Sequence, residues 1–208
     1  MYSRFFKRPL DIVGALTAFL LLGWIGLAVA FLVRWKLGSP VLFCQMRPGK
    51  DGRLFRLYKF RTMTDERGPD GTFLPDAQRM TPFGLFLRST SLDEVPQFLN
   101  ILRGDMSLIG PRPLLPEYLP LYSERQRRRH EVRPGLSGLA QVCGRNALTW
   151  DERLELDVRY VEHITFMGDA KIILRTLSMV LMRDGIRAEG SATMPRFTGR
   201  MSSTEQSR

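Results

Sequence analysis

From Ile12 to Val33 the chain carries no charged residue, and Thr17 is the only hydroxyl in the run. Read as a helix at 1.5 Å per residue, the segment is about 33 Å long, close to the hydrocarbon thickness of a bilayer. Arg4, Lys7 and Arg8 precede it, and Arg34 and Lys36 follow it. Basic residues mark the cytoplasmic side of a span. Basic flanks at both ends therefore predict both ends at one face, as in a re-entrant helix bent near Gly23 and Gly26. Two other readings share the pattern. A secretory signal peptide would use Ala28-Val29-Ala30 as its cleavage site, but the apolar run continues through Phe31, Leu32 and Val33. A buried core helix is the other, although few soluble cores take a helix that is apolar on every face.

Beyond Gly38-Ser39-Pro40 the pattern changes to short periods. Val41-Leu42-Phe43 and Leu54 to Arg61 read as strands joined by the turn Arg47 to Gly52, a hairpin presenting Lys59 and Arg61 at its end. Thr64 to Thr81 is polar and loop-like, with Gly68-Pro69-Asp70-Gly71 at its centre. Phe83 to Leu87 predicts a short helix ending at Arg88. Ser91-Leu92-Asp93-Glu94 predicts the start of another that runs to about Leu102 and is closed by Gly104-Asp105. Met106 to Pro120 holds four prolines and predicts a rigid, turn-rich loop. Helices are expected over Ser123–Val132, Trp150–His163 and Ala170–Arg183, the last amphipathic. The expected architecture is α/β, mostly helical: a membrane-inserted helix over 1–36, a compact catalytic domain over 37–190 with a small β-hairpin and interfacial amphipathic helices, and a loosely ordered tail over 191–208.

Composition narrows the function. The 208 residues carry a net charge of +10, which favours an anionic partner: nucleic acid, acidic lipid or a phosphorylated substrate. Cys44 and Cys143 stand far apart, and His130 and His163 are the only histidines. No zinc-ligand spacing results.

Asp93-Glu94 is the first candidate for chemistry. Successive helical residues point about 100° apart, so the two carboxylates do not face each other, although they can serve one site from two directions. Ser91-x-x-Glu94 also reads as a capping box, a purely structural role. Lys59, Arg61, Arg88, Arg112 and Arg145 lie at element ends or in Pro/Gly-rich loops, where guanidinium groups are held for phosphate oxygens. Pro111 and Pro113 lock the backbone on both sides of Arg112. The triplet Arg127-Arg128-Arg129 reads as a membrane-facing or solvated face.

Lys59-Phe60-Arg61-Thr62-Met63, Arg88 to Gln97, Gly104 to Leu114 and Arg133 to Asn146, in this order, resemble the bacterial small monotopic phosphoglycosyl transferases, most closely the PglC-type enzymes of glycan biosynthesis. The resemblance is colinear over almost the whole chain. It implies that Asp93 is a nucleophile attacking the β-phosphate of a UDP-sugar, with UMP leaving and polyprenyl phosphate accepting the phosphosugar. It implies Mg²⁺ with Asp93 as protein ligand, and Glu94 as the partner carboxylate. Lys59, Arg88, Pro111, Arg112, Pro113, Arg145 and Asp157 fall at positions expected to bind substrate. The donor sugar would be an N-acetylated amino sugar, and the enzyme would sit at the bacterial inner membrane facing the cytoplasm. Relatives of this kind break the membrane helix at Ser-Pro, where this chain has Leu22-Gly23-Trp24. UDP-sugar, polyprenyl phosphate and membrane lipid are thus the expected partners, with no nucleic acid. The competing class is a non-enzymatic basic adaptor binding acidic lipid or nucleic acid, which would not require Asp93. A soluble phosphohydrolase using the same aspartate would not need the apolar segment.

Overall fold

A π-helical turn, Tyr2–Phe6, leads into α1, Lys7–Leu37, which is helical throughout. These and the remaining elements belong to a computed structural model that describes residues 1–144, 148–182 and 196–199. Gly23 and Gly26 stay inside α1, so the expected bend does not interrupt the helix there. The buried positions Asp11, Ala15, Gly26, Val29 and Val33 follow helical spacing along one face. On other faces Val13, Leu20, Leu21, Trp24, Leu27, Phe31 and Trp35 are each more than 60% exposed. A helix so exposed is not a soluble core helix, and an apolar surface of this size calls for a non-aqueous neighbour.

The domain holds α1 at both ends. Near the start, the Asp11 carboxylate accepts hydrogen bonds from Ser107 Oγ at 2.8 Å and from the Leu108 amide at 2.9 Å. Lys7 Nζ reaches Asp169 at 2.6 Å, and Tyr2 donates to the same carboxylate at 2.8 Å. Midway, Gly26 lies close enough to Val95 that a Cβ would meet Val95 Cγ1 at 3.3 Å. At the C-terminus, the Arg61 guanidinium donates to the Leu37 and Ser39 carbonyls and pairs with Asp65. Arg61 is therefore a buried clamp on the helix end rather than a group presented by the hairpin.

Strands β1 (Leu42–Pro48) and β2 (Leu54–Phe60) form an antiparallel hairpin, with Leu42 opposite Phe60 and Pro48 opposite Leu54. β1 thus runs five residues past its expected end. Asp51 and Gly52 have positive φ of 56° and 72°, which turns the chain back. The long loop contains only a short α2 (Asp76–Arg79), and its Phe73 ring lies between the Arg67 and Arg79 guanidiniums. In α3 (Pro82–Ser89), the Thr81 hydroxyl caps the Gly84 amide. Gly84 lies so close to Thr62 that a Cβ would fall 1.8 Å from the Thr62 carbonyl oxygen.

After α4 (Gln97–Arg103) come β3 (Ser107–Ile109), α5 (Glu124–Arg127), β4 (Gly135–Ser137), α6 (Leu139–Cys143), α7 (Trp150–Glu162) and α8 (Phe166–Met182). β3 and β4 pair in parallel within segments expected to be loops. The crossing needs glycine, because a Cβ on Gly135 would meet the Gly110 amide nitrogen at 2.1 Å. α7 begins with a complete capping box between Thr149 and Glu152. α8 starts four residues before its expected position and leaves Phe166, Met167, Ile173, Leu174, Leu177 and Met182 exposed. The tail differs from its expectation at 196–199, where Phe197 is buried against the rings of Tyr118, Tyr122 and Trp150. The rest of 191–208 lies outside the described residues.

Candidate active site

The helix expected to open at Ser91 opens later. Leu92–Glu94 is a 3₁₀ turn entered through Ser91 in the left-handed region, φ 56°, and α4 begins only at Gln97. The Ser91 side chain makes no cap hydrogen bond, so the capping-box role for Ser91-x-x-Glu94 is overturned. The left-handed residue instead delivers two consecutive carboxylates to the end of β2.

There Glu94 Oε1 accepts from Lys59 Nζ and from Arg112 Nη2, each at 2.7 Å, while Lys59 Nζ lies 3.6 Å from Asp93 Oδ2. The side chains grade from deep to open: Asp93 is 8% exposed, Glu94 17%, Lys59 23% and Arg112 39%. The two carboxylates are set apart electrostatically. Burial pushes the Asp93 carboxyl above the usual range against the pull of Lys59, and the Glu94 charge adds to the rise. For Glu94, burial is outweighed by Arg112 and Lys59 together, which hold it well below the ordinary glutamate value. Glu94 thus favours its charged form and anchors two cations. Asp93 is the more basic carboxylate, with no hydrogen bond from a described protein donor. Arg88, at the end of α3, donates from Nε to Thr62 Oγ1 at 3.1 Å, and its charge acts on Asp93.

Asp93, Glu94, Lys59, Arg88 and Arg112 therefore come together as expected. Pro111 and Pro113 are buried on either side of Arg112. Asp157 sits elsewhere: it is buried, and its Oδ2 accepts from Arg129 Nη2 at 2.7 Å and Nε at 3.1 Å. Arg129 Nη2 also donates to the Arg112 carbonyl at 2.7 Å. Through Arg129, Asp157 is thus linked to the backbone that carries Arg112. Arg129, read from its triplet as surface, is 2% exposed. No local signal distinguishes it from Arg127 and Arg128, because its partner lies 28 residues away. Arg145 falls outside the described residues.

His130 closes this side of the site. Its Nδ1 lies 3.3 Å from the Gly49 carbonyl, and burial, aided by the Arg129 charge, lowers its pKa to about 4. The folded protein then holds a neutral imidazole that the unfolded chain protonates. Stability from this group is complete above about pH 6.5 and is lost as the pH falls from there toward 4. A His130→Asn variant should lose less melting temperature than wild type between pH 7 and pH 5. Equal losses would remove His130 from the acid sensitivity.

Among the described residues no group of three His, Cys, Asp or Glu side chains forms a metal cage. Mg²⁺ commonly binds one or two carboxylates together with substrate phosphates. Asp93 has the oxygen to offer, because Glu94 is committed to Lys59 and Arg112.

Comparison with known proteins places the chain in a family. A family model described as bacterial sugar transferase matches residues 2–183. The sugar transferase EpsL of Bacillus subtilis, itself uncharacterised, is 51% identical over 193 residues, 93% of this chain and 96% of its own length. Galactosyl transferase CpsE of Streptococcus agalactiae is 42% identical over 87% of this chain, and the undecaprenyl-phosphate galactose phosphotransferase of Salmonella typhimurium 36% over 88%. The chain spans only 43% and 42% of those two longer proteins. With most of its length matched by the family model and by a relative of almost the same extent, this chain belongs to the bacterial sugar transferase family.

Proposed function

We propose that the protein transfers a sugar-1-phosphate from a UDP-sugar to polyprenyl phosphate through a phosphosugar-aspartate intermediate. The observation that carries this reading is the pairing of a buried, basic Asp93 with a Glu94 that fixes Lys59 and Arg112 beside it. In the first half-reaction an Asp93 oxygen attacks the β-phosphorus, and the bond to the bridging oxygen breaks. UMP leaves with that electron pair. An oxygen of polyprenyl phosphate then attacks the same phosphorus, and the bond to Asp93 breaks, restoring the carboxylate. Lys59, Arg88 and Arg112 hold the phosphate oxygens, the main demand of phosphoryl transfer. Mg²⁺, held by Asp93, supplies further neutralisation of the diphosphate when bound.

The membrane reading goes with this chemistry. The exposed apolar faces of α1 and α8 enter the lipid, and the ties at Lys7 and at Leu37 keep both ends of α1 on one domain. Helical throughout and tied to the domain at both ends, α1 fits a helix lying along the membrane face rather than one that bends back within it, with the catalytic domain on the cytoplasmic face and the exposed Arg4, Arg34 and Lys36 toward the headgroups. An N-acetylated amino sugar is the first donor to test. A relative from Aeromonas hydrophila, 38% identical, is named for N-acetylgalactosamine phosphate transfer; galactose is the second, from the Salmonella relative. The test is UMP release by the full chain in nanodiscs with Mg²⁺ and undecaprenyl phosphate across a panel of UDP-sugars. Release that requires the lipid acceptor supports the proposal. Release that proceeds equally with water as acceptor overturns it.

A further inference from the structure

A second apolar core lies apart from the one that packs β2 and α4 against α1. Leu114, Tyr118, Tyr122 and Leu154 build it, and Phe197 completes it from the segment 196–199. Phe197 is 5% exposed, and its ring centroid lies 5.5 Å from that of Tyr118, 5.7 Å from Tyr122 and 5.4 Å from Trp150. Tyr118 and Tyr122 belong to the stretch that follows Pro111-Arg112-Pro113, whereas Trp150 opens α7. The phenyl ring is thus a wedge shared by two elements.

Both elements lead to Arg112. On the first, Leu114 is buried in this core two residues beyond Arg112. On the second, Trp150, Leu154 and Asp157 recur at i, i+4 and i+7, which places them along one face of α7. Trp150 and Leu154 meet the core there, and Asp157 holds Arg129 at 2.7 Å. The Arg129 guanidinium returns to the core, 5.6 Å from the centre of the Tyr122 ring, and donates to the Arg112 carbonyl at 2.7 Å. The setting of Arg112 therefore depends on how α7 and the stretch 114–122 sit together, and Phe197 touches both.

The hold on 196–199 itself is side-chain packing. Among the described residues the segment forms no hydrogen bond or ion pair, and besides Phe197 its Gly199 lies against Leu121, where a Cβ would stand 3.6 Å from the Leu121 Cβ. A segment held in this way opens locally without unfolding the domain. Loss of the ring leaves a space that its neighbours fill only in part.

We propose that 196–199 is a strap and that Phe197 is a positioning residue for Arg112. With the ring seated, Arg112 is set for the diphosphate of the donor; with the ring out, the fold remains and donor binding weakens. The inference rests on the donor being a UDP-sugar. Linkage makes the coupling reciprocal, so a bound nucleotide favours the seated strap.

The full chain in nanodiscs supplies the test, with UMP as the probe and donor turnover beside it. Phe197→Ala should raise the UMP dissociation constant and the donor KM together by about 5- to 150-fold, the usual span of coupling between two sites. kcat and the KM for undecaprenyl phosphate should hold. Phe197→Leu, which refills most of the space, should recover most of the loss. Trypsin cleavage after the exposed Arg196, followed by mass spectrometry, should slow on adding UMP to wild type and should not respond to UMP in Phe197→Ala. A lowered melting temperature in Phe197→Ala with UMP binding and donor KM unchanged would make the ring a filler of the core and overturn the proposal. Equal rises in the donor and lipid KM values would do the same. Wild type that binds UMP with no change in cleavage at Arg196 would overturn the coupling and leave the donor reading standing. Failure of wild type to bind UMP would overturn the donor reading, and the role of the strap with it.

Discussion

Asp93→Asn should lose lipid-dependent UMP release by at least about a thousandfold while remaining folded. The size of the effect follows from the role: an amide cannot form the phosphosugar ester, so both half-reactions stop. Intact folding follows from the environment. Asp93 lies in a site where burial already works against its charge, and asparagine fills the same volume without one. Lys59 keeps Glu94 as its partner at 2.7 Å. The melting temperature should therefore stay within a few degrees of wild type. Donor incubated with wild type in the absence of lipid should add the mass of one sugar phosphate to the chain, and Asp93→Asn should show no such adduct. Retained turnover in the variant would remove Asp93 as nucleophile. Lost turnover with the adduct still forming would place the covalent bond on another residue. Glu94→Gln should behave differently: it leaves Lys59 and Arg112 without their shared carboxylate, so the loss should come with weaker donor binding.

These residues show where sequence reading succeeds and where it stops. The apolar run of α1 and the turn of the hairpin are local signals, and each names its element. The paired three-residue strands β3 and β4 carry no period long enough to recognise, because what holds them is contact between Gly110 and Gly135 across the chain. The cations gathered around Asp93 and Glu94 are legible because they sit in motif blocks beside proline or at element ends. Their geometry is not. Ser91-x-x-Glu94 has the spacing of a cap, yet the left-handed Ser91 turns Glu94 away from the backbone and toward Lys59 and Arg112. Arg61 reads as a phosphate-site candidate and Arg129 as a surface cation, while their partners, the Leu37 carbonyl and Asp157, are set by tertiary packing alone. Asp11, one residue before the uncharged run, similarly becomes a buried tie between α1 and β3.

Asp157→Ala should destabilise the protein by about 3–5 kcal/mol, the usual consequence of leaving one partner of a buried ion pair alone. Arg129 and Asp157 are 2% and 4% exposed at their side chains, so water cannot replace the lost carboxylate. The paired substitution Asp157→Leu with Arg129→Met removes both charges and should recover a substantial part of that loss, as seen by urea unfolding in detergent. The two variants separate stability from function. Arg129 Nη2 holds the Arg112 carbonyl at 2.7 Å, and among the described residues Arg129 alone supplies a side-chain bond to it. The double variant, although more stable than the single one, should still show a raised donor KM, because the Arg112 backbone keeps Pro111 and Pro113 but loses its brace. If the double variant matched wild type in both stability and donor KM, the pair would be dispensable and Arg112 would be aimed by its prolines alone. If the single variant were as stable as wild type, the Asp157 carboxylate would not be an essential partner of Arg129.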